Sequence, residues 1–129
     1  MMKKKTDLDV LISSQQTELD AVLLYKELAK LMDNEEDRKT LLAMAADEGR
    51  HASILKEYTG APLKPNGTLA KAAAALYKLG GKKLLFPFMS EFEIKSFFSY
   101  KKFFVDYPEI TRIASDEIRH GHLLSNMMK

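Results

Sequence analysis

The segment Asp47-Glu48-Gly49-Arg50-His51 returns, with one substitution, as Asp116-Glu117-Ile118-Arg119-His120. Four of five positions are identical, in a chain that has three histidines. Each copy holds Glu-x-x-His, and residues three apart share one face of a helix. A carboxylate and an imidazole therefore point the same way, twice. One such pair alone reads as a surface pair. Two matched pairs constrain the fold to one that brings both helices to a common interior.

The hydrophobic pattern is helical almost throughout, which makes the expected class all-α. Helix 1 runs from Asp7 to Met32. Asp33-Asn34 breaks it, and Asn34 caps helix 2, with Asp37 three residues on. Helix 2 continues to Tyr58 and stops at Thr59-Gly60. The stretch 61–67 contains Pro62, Pro65 and Gly67 and reads as a loop. Thr68 opens a short alanine-rich helix that ends at Gly80-Gly81. Helix 3 begins at Lys82 or at Pro87 and runs to Asp106. Pro108 suits the first turn of helix 4, which fills the rest of the chain. The first and last pairs of helices are joined by tight turns, and a crossover of about 25 residues with its own short helix links them. At 129 residues and 14.7 kDa the chain is expected to form a single domain, 1–129.

Each long helix carries one stripe at heptad-like spacing. Helix 1 places Leu11, Gln15, Glu18, Val22, Tyr25 and Ala29 on it. Helix 2 places Leu41, Met44, Glu48, His51 and Leu55. Helix 3 has Phe86, Met89, Glu93, Ser96, Tyr100 and Phe103. Helix 4 has Ile110, Ile113, Glu117, His120 and Leu124. Every stripe is mainly apolar and is interrupted near its middle by glutamate. Facing one axis, the four stripes bring together Glu18, Glu48, His51, Glu93, Glu117 and His120.

An apolar core does not hold four carboxylates uncompensated. Each unpaired buried carboxylate costs several kcal/mol, and mutual repulsion adds to that. Two divalent cations cancel four negative charges. Oxygen-rich ligation with one imidazole per metal favours iron or manganese over zinc by ligand type. A metal-bound histidine donates its remaining ring N–H to a carboxylate or carbonyl. Asp47 and Asp116 stand where they reach the histidine of the opposite helix, His120 and His51 respectively. Tyr25 follows Glu18, and Tyr100 follows Glu93, both seven residues on and on the same stripe. These tyrosines are placed to hydrogen-bond the site or to take part in one-electron chemistry.

Competing residues fare worse. The face of Glu91 carries Lys95 and Lys102 and makes a poor core seam, so Glu93 is the preferred helix 3 ligand. His122 lies two residues past His120 and points elsewhere, into solvent. Arg50 and Arg119 read as surface or interhelical salt-bridge residues. Gly49 inside helix 2 costs about 1 kcal/mol against alanine, and a close helix approach is one reason for it.

The net charge of +2 is too small to imply nucleic acid, and the basic residues are scattered apart from Lys3-Lys4-Lys5, read as a solvated end. No apolar run approaches a membrane span, and no secretory leader is evident, so a cytoplasmic protein is expected. Cysteine is absent, which excludes thiolate-ligated metal sites and disulfides.

At these residues the chain resembles the ferritin-like superfamily of di-iron carboxylate proteins. Glu18, Glu48-x-x-His51, Glu93 and Glu117-x-x-His120 match its pattern position by position. Within that superfamily it is most similar to the rubrerythrin group, with Glu…Tyr at the same offset on helices 1 and 3. The resemblance implies a ferritin-like antiparallel four-helix bundle holding two iron ions, with manganese or a mixed-metal pair as variants. It implies reduction of hydrogen peroxide or dioxygen. Iron storage or delivery without sustained turnover is the alternative. Rubrerythrins proper also carry a cysteine-ligated rubredoxin iron, which this chain lacks, so the implied electron donor is external. The phenylalanine- and alanine-rich helix 3 and crossover suggest a homodimer.

Overall fold

The computed structural model describes residues 2–128, with side chains from Asp7 to Met128. The reading of Lys3-Lys4-Lys5 as solvated falls outside the described side chains. Four helices form the molecule: α1 (Met2–Leu31), α2 (Glu35–Thr59), α3 (Thr68–Tyr100) and α4 (Ile110–Met127). No strand occurs among the described residues. The helix α1 packs on α2, and α3 on α4. Further contacts of α1 with α3 and of α2 with α4 close the four into a bundle.

The turns follow from local chemistry. Asn34 Oδ1 accepts a hydrogen bond from Asp37 N at 3.1 Å and caps α2. Gly60 ends α2 in the left-handed region (φ 67°), and its N–H bonds Lys56 O at 2.7 Å. Gly81 (φ 66°, ψ −161°) kinks α3 into two arms, residues 68–80 and 82–100. Only glycine adopts that backbone without strain, so the second arm starts at Lys82. Pro87 then lies inside the arm.

Two boundaries differ from expectation. Helix 3 ends at Tyr100, not Asp106, because the chain tightens into a 3-10 turn at Lys101–Phe103. The α conformation is also disfavoured for Tyr107, which precedes a proline. Pro108 stands just before α4 instead of within its first turn. Its carbonyl accepts hydrogen bonds from Thr111 N (3.2 Å) and Thr111 Oγ1 (2.7 Å).

The apolar core forms two separate clusters. One contains Leu24, Leu28, Leu41, Met44, Phe86 and Leu124. The other contains Leu11, Leu55, Phe103, Ile110 and Ile113. Along every helix the glutamate of the seam lies between residues of the two clusters. The polar layer is thus sealed above and below by hydrocarbon.

Gly49 has no structural need to be glycine. A Cβ there would meet only Val22 at 3.9 Å, an ordinary contact, so close approach does not explain it. At Gly121 a close helix approach does require glycine. A Cβ there would meet Ile94 at 2.7 Å and Ser90 O at 3.2 Å. Ser90 Oγ donates to Gly121 O at 2.8 Å, so α3 and α4 approach closely at this point.

Candidate metal centre

Glu18, Glu48, Glu93, Glu117, His51 and His120 are all buried, at 0–3% exposure. They meet in the polar layer. His51 Nδ1 lies 3.3 Å from Glu18, 3.1 Å from Glu48 and 3.2 Å from Glu117. His120 Nδ1 lies 3.4 Å from Glu48 and 3.3 Å from Glu93. The other ring nitrogens point outward. His51 Nε2 is 2.7 Å from Asp116, and His120 Nε2 is 2.8 Å from Asp47. Each histidine therefore turns Nδ1 to the carboxylates and is held from behind by an aspartate on the opposite helix.

The tyrosines cross between helices. Tyr100 of α3 donates to Glu18 of α1 at 2.9 Å, and Tyr25 of α1 donates to Glu93 of α3. The arginines of the repeat brace the aspartates: Arg50 donates to Asp47, and Arg119 reaches both Asp47 (2.7 Å) and Asp116 (3.1 Å). Arg119, read from the sequence as a surface or interhelical salt-bridge residue, is the latter, since it reaches from α4 to Asp47 of α2. Glu91 is exposed and pairs with Lys95 at 3.0 Å, and His122 is exposed, so neither joins the cluster.

Two overlapping sets of donors each bring their ligand atoms within 4.8 Å of one another. One is Glu18, Glu48, His51 and Glu117. The other is Glu48, Glu93, Glu117 and His120. Glu48 and Glu117 belong to both, as carboxylates shared between two positions would. Glu48 Oε1, Glu93 Oε1, Glu117 Oε1 and His120 Nδ1 are buried without any hydrogen-bond partner. Orphaned buried acceptors are rare in native proteins and require a reason. Hard oxygen donors with imidazole nitrogen suit a divalent metal, so the residues present fit one.

The electrostatics agree. Two like charges ~4 Å apart repel by about 4 kcal/mol at an effective dielectric near 20. Without metal, protons must relieve that repulsion. Burial and then the charge of Glu18 push Glu48 and Glu117 well above the usual carboxylate range. Burial alone would lower His51, but the carboxylates of Glu117, Glu18 and Glu48 lying against it reverse this and raise it far above an ordinary histidine. Burial would raise Glu93, yet the neighbouring His120, Glu117 and the Tyr25 hydroxyl leave it lowered. Burial, reinforced by neighbouring glutamates, keeps Tyr25 and Tyr100 as neutral phenols.

A family model described as Rubrerythrin matches residues 9–76. The chain belongs to the rubrerythrin family. The match spans Glu18, Tyr25, Glu48 and His51 and reaches into the first arm of α3. The second half of the centre, beyond the matched residues, rests on the repeated motif and on the geometry above. Among curated proteins and among solved structures, nothing matches the chain significantly.

Proposed function

We propose that this chain is a di-iron redox protein that reduces hydrogen peroxide or dioxygen. The observation that carries the reading is the pair of overlapping buried donor sets, with their orphaned atoms, in a rubrerythrin-family bundle. Glu18 and His51 would hold one ion, Glu93 and His120 the other, with Glu48 and Glu117 shared. Two ferrous ions held there would supply two electrons, enough with two protons to take hydrogen peroxide to water or dioxygen to hydrogen peroxide.

The surrounding residues do the positioning. Asp47 and Asp116 fix the ring orientation of the two histidines and raise their basicity as ligands. Tyr100 and Tyr25 restrain Glu18 and Glu93, each from the opposite helix. Their raised pKa values keep the phenolic protons in place as donors. The hydrocarbon clusters above and below exclude bulk water. These 129 residues contain no cysteine to hold a further, thiolate-bound iron, so the electrons reach this domain from outside it. No helix among the described residues is long and apolar enough to cross a membrane. The exposed Phe98 and Val105 accord with a homodimer.

Anaerobic ferrous titration followed by rapid mixing with oxidant tests the reading. Saturation near two irons per chain, with prompt oxidation by peroxide or dioxygen, is expected. Binding unchanged in a Glu48→Ala, Glu117→Ala double variant would overturn it.

A further inference from the structure

Between α1 and the two arms of α3 lies a cleft with a cavity volume of about 290 Å³. Its walls are apolar and include Leu24, Leu69, Leu76, Leu85, Phe88 and Phe92. Its floor is Glu18, Glu48, Glu93 and Glu117, which places the opening directly over the metal centre. The remaining polar groups are Thr17 and the Tyr25 hydroxyl, and the latter already donates to Glu93. A polar molecule in this cleft finds almost nothing to bond until it reaches the floor.

Size decides what the cleft suits. An apolar cavity of about 150 Å³ holds one benzene and stays dry when empty. This one has roughly twice that room, far more than dioxygen or peroxide needs. Ligand sites pair apolar walls with a few convergent polar groups. Here the convergent groups are all at one end. Leu69, Leu76, Phe88 and Phe92 at the rim are 42–65% exposed, so the cleft opens to solvent through hydrocarbon.

We propose that the cleft binds an unbranched aliphatic carboxylate of medium length, with its chain along the α1–α3 walls and its carboxylate at the metal centre. The inference rests on reading the six donors as a metal site. Without metal the floor offers a carboxylate only other carboxyl groups and no cation, whereas bound divalent ions would balance the glutamates and give the carboxylate a cation to meet. Binding therefore requires the metal.

The test uses the full chain loaded with manganese under conditions where no turnover occurs, titrated with decanoate by calorimetry. One decanoate per chain is expected, with a negative heat-capacity change. Binding should weaken at least tenfold in the metal-free protein. Ala72 is an exposed residue of the cleft wall, and Ala72→Trp should weaken binding at least tenfold while leaving manganese stoichiometry intact. Leu76→Trp repeats the test at a second position. Leu79, 80% exposed and outside the cleft, should tolerate Leu79→Ser with no effect. Manganese binding without decanoate binding overturns this proposal alone, whereas failure to bind manganese or iron overturns the metal reading. Decanoate binding that ignores Ala72→Trp, or that is lost in Leu79→Ser, shows surface adsorption and overturns the proposal. So does a dimer by sedimentation that Ala72→Trp dissociates with no decanoate bound, since a second copy then fills the cleft.

Discussion

His120 on α4 places its Nε2 2.8 Å from Asp47 on α2, and Asp47 is only 6% exposed. The matching pair, His51 with Asp116, is wetter, because the Asp116 side chain is 29% exposed. Loss of a carboxylate behind a metal-binding histidine commonly costs 10- to 100-fold in affinity. Asp47→Ala should therefore lower metal affinity by about 10- to 100-fold. Asp116→Ala should cost less, since water can replace its carboxylate. Competitive titration against a chelator measures both. Equal and negligible effects would remove the aspartates from any role at the centre.

Gly49 and Gly121, each inside a straight helix, should respond to alanine in opposite directions. Gly49→Ala fits without displacement and should stabilise the protein by up to about 1 kcal/mol. Gly121→Ala drives a methyl into Ile94 and Ser90 and should destabilise by about 1–3 kcal/mol. Chemical denaturation of both variants checks the contrast.

Removing one shared carboxylate should help the metal-free fold and harm the loaded one. In Glu117→Gln a neutral amide replaces a buried, orphaned acid. The metal-free variant should gain about 1–3 kcal/mol, while metal affinity falls. Thermal melts with and without metal should move apart, and parallel melts would show that the carboxylates do not repel.

Stability of the metal-free chain should depend on pH with a definite sign. The folded values of Glu48, Glu117 and His51 are raised. Their contributions are present below the unfolded values, 4.5 for the glutamates and 6.5 for His51, and fade as pH rises through the folded ones. Asp116 acts oppositely. Burial alone would raise its pKa, but His51 and Arg119 lower it below 3.8, so its contribution is lost on strong acidification. The melting temperature should therefore peak in mild acid and fall into the alkaline range. Metal binding must displace those protons, so affinity should rise with pH. Calorimetric scans of the two forms test this, and a metal-free protein that gains stability with alkalinity would contradict it.

Much of the fold was legible because helix periodicity and caps act locally. Asn34, Gly60 and Gly81 punctuate the chain where their chemistry requires it. The convergence of the six donors was legible because each glutamate interrupts an apolar stripe at the same depth. Other features depend on tertiary placement. Nothing near Gly121 in sequence announces Ile94 at its Cα. Arg119 bridges two aspartates that lie 72 and three residues away along the chain. The cleft exists only because the first arm of α3 folds back against α1, and Leu69 or Leu76 alone gives no hint of it. The early end of α3 in a 3-10 turn at Lys101–Phe103 has no marker in the sequence, since Pro108 directly restricts only Tyr107.

The chain carries the same kit twice. The α1–α2 hairpin supplies Glu18, Tyr25, Asp47, Glu48 and His51, and the second arm of α3 with α4 supplies Glu93, Tyr100, Asp116, Glu117 and His120. Each hairpin is half of a near-twofold object, and two copies of either one would present an equivalent donor set to each other. The linking segment is thus not required to complete the polar layer. What residues 68–80 contribute is inequality: they lie on one flank only, giving a symmetric centre a front and a back.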